Sequence, residues 1–569
     1  MLDIREIVQA RYPRFVARHQ RMARSLMRFL GFLFYESRFA QFSRDFPGLE
    51  GMAFVHGALE YFDFAINISP RERSRIPAKG RVVIIANHPL GSLDGLALLQ
   101  QVGHIRNDVK VVANDLLTAV KPLAPLLLPV NNMGGATSRE NLKRIRHHLA
   151  KEGALIIFPA GEVSRFGVKG VKDGDWQHGF IRIANTAQAP ILPIYVAGRN
   201  SVLFYSLSFL SRPLSTLWLV REMFHQAHNS VQARVGAPIP WENYHTVSTS
   251  PRTLAGQFRR HVYRLARNAP PIFRGVEAIA EPENRRLLEQ EVTASELLGC
   301  TPDGMQIHLC KMERAPCTMR EIGRLRELAF RAVGEGSGLP RDIDRFDQNY
   351  LQLVLWDPDK LEIAGAYRLG RVRELLALGG KSALYTHALF RLGGSMDQYL
   401  QHGLELGRSF VQAQYQTRHS LDYLWLGIGA YLRRYPGCRY LFGAASISPL
   451  YGEVATAQIC GYYAAYCRNE AVDVRPRHPY RPEHKYSPSG NAEQDFHALR
   501  DALAENGLQV PTLFKHYANV AEPGGVAMTA FNVDASFGNC VDAFVMVDLE
   551  RLKPRKKQRY LQALPLQAS

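Results

Sequence analysis

The chain has 569 residues, room for two large domains or three to four smaller ones at about 150 residues each. Hydrophobic residues make up 46% and charged residues 21%, which excludes global disorder and a collagen-like repeat. The net charge of +18 is lopsided: Lys plus Arg exceeds Asp plus Glu by 17 over residues 1–270, leaving 18 − 17 = +1 for residues 271–569. A cationic first half suits nucleic acid, acidic lipid headgroups or an acidic carrier protein. All seven cysteines follow residue 299 and none forms a CxxC pair, which points to reduced thiols in a cytosolic setting and gives no support to a zinc or other metal site. The N-terminus MLDIREIVQARYPRF is charged from its start, so no secretory signal is expected, and no run of about 18 apolar residues predicts a transmembrane span.

Taken in chain order, residues 1–50 are basic and aromatic, with Ile4, Ile7, Val8 and Tyr12 near helical spacing and the apolar run SLMRFLGFLFYE at 25–36. They predict one or two amphipathic helices, either packed on the next domain or lying in a membrane interface with arginines at headgroup level. From about 80 to 240, short β-branched runs alternate with helical stretches. RVVIIAN (81–87), the run at 109–114, ALIIFP (154–159) and ILPIYVAG (191–198) predict buried strands, and SRENLKRIRHHLAKEG from 138 predicts a helix ending at Gly153. That alternation is an α/β layer architecture. The apolar stretch 201–223 is broken by Arg212 and Pro213, and it predicts a helical hairpin or a second surface-lying segment. Residues 268–300, with paired prolines and then a charged stretch, predict a linker between a domain at 51–267 and a second at 301–569. In the second, strands are expected from 305, 351, 361, 403, 440 and 540, with a strand, turn and helix over 403–432. RDIDRFD (341–347) predicts a solvated acidic turn.

The chemistry of the first half centres on NHPLGSLD (87–94), directly after a buried strand. A carboxylate that fixes an imidazole tautomer lets His88 take a proton from a hydroxyl, with Asp94 as its orienter. FPAGEVSR (158–165) follows another strand. NNMGGATSRENL, from Asn131, sets a glycine pair and Arg139 at the start of a basic helix, where free amides and a cation suit a phosphate or carboxylate. Pro190 and Pro193 are expected at the mouth of their strand.

In order, these blocks resemble the glycerolipid acyltransferases of the lysophosphatidate acyltransferase type over roughly residues 50–240. The resemblance implies a His88–Asp94 charge relay. It also implies an acceptor site from Asn131, Gly134, Arg139, Phe158, Pro159, Gly161, Glu162 and Arg165, and an acyl pocket that includes Pro193. Five residues separate His88 from Asp94 where that family has four, and Ala160 stands where it has Glu. HPLGSLDG with FPAGE resembles instead the subgroup that makes aminolipids, whose acceptor carries a carboxylate.

In the second half, LELGR (404–408) and LFGAASIS (441–448), with AGAYRLG at 364 and LYTHALF at 384, resemble the N-acyltransferases that build ornithine and glycine lipids. Those are similar to acyl-homoserine-lactone synthases and imply a GNAT-like α/β fold. In that reading Glu405 binds the acceptor's ammonium or helps deprotonate it, and Arg408 binds its carboxylate or anchors Glu405; a buried structural ion pair is the alternative. Arg418 is the candidate for the pantetheine phosphate and Ser446 for a polar position near the acyl amide. The loop YQTRHS (415–420) lacks the glycines of a nucleotide cradle, which favours an acyl carrier protein as donor over acyl-CoA.

Together the halves resemble a bifunctional ornithine-lipid synthase. The implied activity is N-acylation of an amino acid by a 3-hydroxyacyl donor, then O-acylation of the 3-hydroxyl. The co-substrate is acyl-ACP or acyl-CoA and no cofactor is permanently bound. The expected partners are acyl carrier protein, amino acid, lyso-aminolipid and an anionic membrane surface, with a monotopic placement on the cytoplasmic side of a bacterial inner membrane. Basic residues scattered on helices, without an RNA- or DNA-binding motif, predict no nucleic-acid partner. A single-activity N-acyltransferase with a docking domain and a glycerophospholipid acyltransferase are the alternatives.

Overall fold

A computed structural model describes residues 17–33, 35–114, 120–130, 138–167, 170–210, 212–245, 249–416 and 419–561. The chain forms two compact units, Met1–Ala278 and Ile279–Ser569.

The first unit begins with helices α1 (Gln20–Leu33), α2 (Glu36–Asp45) and α3 (Gly51–Phe62). Its sheet contains β1 (Ala65–Asn67), β2 (Val82–Ala86), β3 (Lys110–Asn114), β4 (Leu127–Val130), β5 (Ala154–Ile157), β6 (Ile191–Ala197) and β7 (Ser230–Val235), in the order β1-β7-β6-β2-β5-β3-β4. The pairs β6–β2, β2–β5, β5–β3 and β3–β4 are parallel, while β6–β7 is antiparallel. Helices α4 (Ser92–Gly103), α5 (Arg139–Ala150), α6 (Gly179–Ala187), α7 (Val202–Leu210), α8 (Arg212–His225) and α9 (Pro251–Leu265) connect and flank the strands. The central strands are apolar throughout because both faces are covered: Val82, Ile84 and Ile156 enter one core, and Val83, Ile85 and Leu155 the other. β2 is followed by α4, which leads to β3, whereas β5 leads by α6 to β6 on the other side of β2. The loops after β2 and β5 therefore leave the sheet in opposite directions, the place where an open α/β sheet forms a crevice.

The second unit starts earlier than its sequence suggests. Of the stretch 268–300 expected as a linker, Arg285–Thr293 is helix α10 and Glu296–Cys300 is strand β8, which pairs with β9 (Gln306–Lys311). The charged, periodic residues of α10 bury Leu288 and Val292 in the core of this unit. The sheet continues with β10 (Leu351–Asp357), β11 (Glu362–Arg371), β12 (Gly403–Val411), β13 (Tyr440–Ile447), β14 (Val526–Asp534) and β15 (Cys540–Asp548), in the order β8-β9-β10-β11-β12-β13-β15-β14. Helices α11 (Pro316–Arg331), α12 (Ser420–Arg434) and α13 (Gly452–Tyr466) are the main ones over it. Every strand pair is antiparallel except β12–β13.

That exception is short. Residues 403–406 pair with 440–443, after which β12 runs on to Val411 and β13 to Ile447 without pairing each other. The last pair, Leu406 with Gly443, is a close approach: a Cβ at residue 443 would lie 2.0 Å from the Leu406 carbonyl oxygen. Beyond it they splay. On its other side β12 carries a bulge: Ala366 pairs with Phe410 but Arg368 with Gly407. Arg408 sits inside it with φ of +52°.

Candidate active sites

In the first unit, the end of β2 is locked to β6 by Asn87, whose side chain donates to the Val196 carbonyl (2.9 Å) and accepts from the Val196 amide (2.7 Å). His88 follows at once. The chain turns at Gly91, with φ of +89°, and enters α4, whose first turn carries Asp94. A helical turn brings Asp94 back over the loop: Oδ2 accepts from the Leu90 amide at 2.9 Å, and Oδ1 lies 2.9 Å from His88 Nδ1. The extra residue between the two is absorbed by this turn. The approach is off the ideal N–H direction. Asp94 is 0% exposed while the His88 side chain is 20% exposed, so the pair presents one imidazole edge outward. Burial works against the imidazolium, but the carboxylates of Asp94 and Asp173 outweigh it and hold the His88 pKa above its ordinary value.

Asp173 is a part of the site that motif reasoning missed. Its carboxylate accepts from the His88 amide (3.2 Å), Trp176 Nε1 (2.8 Å) and Ser164 Oγ, and burial raises its pKa. The Ser164 amide donates to the His88 carbonyl at 2.8 Å. The block 158–165 is thus tied to the histidine through backbone as well as side chains. Phe158 packs its ring 4.2 Å from the imidazole. Pro159 and Gly161 shape the turn: the Gly161 amide donates to the Phe158 carbonyl, and the Gln177 amide to that of Pro159. Glu162 pairs with Arg165 at 3.0 Å, and Arg165 also donates to Ser208 Oγ on α7. Arg139 opens α5 at the same end of the sheet and is exposed, beside Ser138, whose side chain caps the helix. Asn131 and Gly134 lie outside the described residues. Pro193 is not at the mouth of its strand: it pairs with Ile85 inside β6 and is buried. Pro190 stands just before β6.

In the second unit, Glu405 and Arg408 do not form an ion pair with each other. Glu405 is 1% exposed. One of its oxygens accepts from the Tyr350 hydroxyl and the other from the backbone amide and hydroxyl of Thr386. Burial raises its pKa against the pull of these donors. Strand alternation would put Arg408 on the face of Leu406, opposite Glu405. The bulge reverses this, so Arg408 stands over the rings of Tyr385 (4.9 Å) and Phe537 (4.3 Å).

Its partners are Asp342 at 3.2 Å and Asp344 at 3.8 Å. The acidic run 341–347, expected as a solvated turn, is largely buried. Asp347 pairs with Arg326 (2.9 Å) and Arg368 (3.4 Å), and Asp344 accepts from Arg368 at 2.8 Å. Three arginines from α11, β11 and β12 neutralise the three aspartates, and this lets the charges leave water. Asp347 is consequently held far below the usual carboxylate range: burial opposes this, and the two guanidiniums beside it prevail. Ser446, on β13 beyond the splay, donates to Glu335 at 3.0 Å. Arg418 lies outside the described residues. At the root of the splay, Leu406, Leu441, Gly443, Ala444, Tyr517 and Val545 line a small cavity.

Residues 8–269 match the family described as acyltransferase, and residues 325–426 match the acetyltransferase (GNAT) domain. The chain is 30% identical over 306 residues to the glycine N(alpha)-acyltransferase of Bacteroides thetaiotaomicron, covering 50% of this chain and 90% of that protein. It is 29% identical over 272 residues to the lyso-glycine lipid O-acyltransferase of Phocaeicola vulgatus, covering 47% of this chain and 95% of that protein. To the L-ornithine N(alpha)-acyltransferase of Brucella abortus it is 28% identical over 251 residues, covering 41% of this chain and 83% of that protein.

Proposed function

The chain belongs to the aminolipid acyltransferase family, and from that premise we propose that it performs two successive acyl transfers. The second unit joins a 3-hydroxyacyl group to the α-amino group of an amino acid. The first unit then esterifies the 3-hydroxyl of that lyso-lipid with a second acyl chain. The observation that carries this reading is the 2.9 Å approach of His88 to Asp94, at the end of the sheet where a hydroxyl acceptor can be activated. His88 takes the proton of the 3-hydroxyl as its oxygen attacks the thioester carbonyl carbon. The C–O bond forms, the C–S bond breaks, and the imidazolium returns the proton to the leaving thiolate. Asp94 stabilises the imidazolium in between, and Asp173 positions the His88 backbone.

In the second unit, the splay beyond Gly443 gives a slot between two strands for a pantetheine arm, with the thioester carbonyl between β12 and β13. We assign acyl carrier protein as the donor, because the loop after β12 has no glycines with which to approach a nucleotide pyrophosphate.

The product belongs in a bilayer, and the first unit has the features to meet one. Val202, Leu203 and Phe166 are exposed apolar side chains on α7 and on the short strand that carries Arg165. None of the described helices is long and apolar enough to cross a membrane. The protein is therefore assigned to the surface of an anionic leaflet, the cytoplasmic face of a bacterial inner membrane, where each lysine or arginine near the headgroups contributes about 1 kcal/mol.

The test is lipid extraction and headgroup mass spectrometry from a bacterial host expressing the chain or its His88→Ala form. The parent is expected to yield a diacylated aminolipid and the variant the lyso form. Unchanged diacyl product from the variant would refute the assignment of the second transfer to His88.

A further inference from the structure

The amide-forming step needs a group that holds the acceptor's ammonium and takes its proton, and Glu405 is 1% exposed and already accepts from three donors. A second set of carboxylates lies across the splay. β-Register places Ser446, Asp542 and Asn532 in one row over β13, β15 and β14. Residues directly opposite one another share a face. This face is the one that carries Phe442, Phe544 and Met546, against which Tyr385 packs.

Glu335 approaches the row from the loop after α11. Its backbone amide is tied to the Phe330 carbonyl at 2.9 Å, the Phe330 ring packs 5.0 Å from that of Phe537, and its carboxylate accepts from Ser446. Asp542 is 5% exposed, and its Oδ2 has no hydrogen-bond partner among the described residues. Its other oxygen has only the Cys540 thiol, at 3.9 Å. Neighbouring Asp534 is already committed to the amide and hydroxyl of Ser536. Arg408, whose charge acts on Asp542, is committed to Asp342 and Asp344.

A buried carboxylate oxygen without a donor is costly. A primary ammonium, with three N–H donors and a positive charge, is the ligand that satisfies Asp542, Glu335 and Ser446 together. We propose that Glu335 and Asp542 bind the α-ammonium of the acceptor amino acid beside Ser446, and that Glu335 takes its proton as the amide forms. This rests on the reading that the second unit N-acylates an amino acid. The step balances simply. Glu335 accepts one proton from the ammonium and the amine nitrogen attacks the thioester carbon. The C–N bond forms, the C–S bond breaks, the second nitrogen-bound proton goes to the leaving thiolate, and Glu335 releases its proton to solvent.

The surroundings suit this work. Burial pushes the Glu335 pKa up to about 7, with Ser446 and Arg408 pulling against it. Burial and the carboxylates of Asp534 and Glu335 raise Asp542 well above the usual range, again against Arg408. The other titratable groups facing Glu335 are Cys540 on β15 and Tyr451 after β13. A base that titrates near neutrality is effective at the pH where it must work.

The test uses the full chain, an acyl thioester donor, and glycine and ornithine as separate acceptors, with amide product followed by mass spectrometry from pH 5.5 to 9. Glu335→Gln is expected to lose at least 100-fold in kcat/KM together with the acidic limb near pH 7, and Glu335→Asp to recover part of both. Asp542→Asn is expected to raise the KM for the amino acid at least tenfold with a smaller change in kcat. Its thermal midpoint should exceed the parent's above about pH 4 and match it below, because a raised carboxyl pKa costs stability once the unfolded group ionises. If the parent makes amide and the Gln and Asn variants both stay within twofold of it, the proposal is overturned and the function stands. If the parent makes no amide with either acceptor, the function itself falls and the proposal with it. Should Glu335→Gln unfold, the decision passes to Glu335→Asp and Asp542→Asn, and parental kinetics in both overturns the proposal.

Discussion

Asp94 and Glu405 are both carboxylates removed from water, yet they end in opposite situations. Asp94 spends one oxygen on a backbone amide and turns the other to an imidazole that reaches the surface. Glu405 accepts from a tyrosine hydroxyl, a threonine hydroxyl and a backbone amide, with the Arg368 charge nearby. The first arrangement passes an electrostatic influence outward through an imidazole that is partly exposed. The second closes on itself and fixes the junction of β12 with the short helix at Tyr385–Leu389. On the proposed reading the open arrangement serves a reacting group and the closed one a structural anchor.

Removing His88 is the most severe way to test this contrast. His88→Ala is expected to lower O-acyl transfer to the lyso-lipid by about 10²–10⁴-fold, with N-acyl transfer retained, as read by product analysis with each acceptor. The pH dependence should follow. Because the folded pKa of His88 is raised, the neutral imidazole that accepts a proton disappears at a higher pH than for a free histidine. O-acyl transfer should thus fall as pH drops through a value above the ordinary 6.5, and Asp94→Asn should move that limb downward. A limb that stays in place in Asp94→Asn would break the link between the two groups.

Glu405→Gln probes the closed arrangement. A carboxamide puts N–H groups opposite donors, so thermal unfolding should show a loss of about 1–3 kcal/mol. The acidic limb of N-acyl transfer should keep its position. Asp173→Asn is expected to be milder still, roughly tenfold in O-acyl transfer, since it disturbs the seat of His88 rather than its ring. The smallest effect is expected at the surface: Val202→Asp with Leu203→Asp should reduce sedimentation with anionic liposomes a few-fold, and added salt should weaken binding of both forms. Equal binding at low salt would remove α7 from the contact.

Much of the architecture was legible because buried parallel strands read as unbroken β-branched runs, as in Val82–Ala86 and Ala154–Ile157. The His88–Asp94 pair was legible because both members lie on one turn. Asp173 was not, since it arrives from 85 residues away and acts on a backbone amide that no motif displays. Asp342, Asp344 and Asp347 looked like a surface turn because their neutralising arginines at 326, 368 and 408 are scattered over three elements. Residues 285–300 resembled a linker because their polar faces dominate the composition, although two apolar anchors suffice to dock α10. Glu335 stands alone among glycines at 334, 336 and 338, and only the fold reveals its neighbours on β13 and β15.

Gly443 imposes a depth limit. A methyl group there would overlap the Leu406 carbonyl, so the two backbones meet at that residue with no side chain between them. The missing carbon sets where the fork closes and hence, on the proposed reading, how far a thioester would travel into it. Enlarging residue 443 would shift the crotch of the fork toward the chain's earlier residues. The reacting carbon would then stop at a different height relative to the groups waiting on either prong.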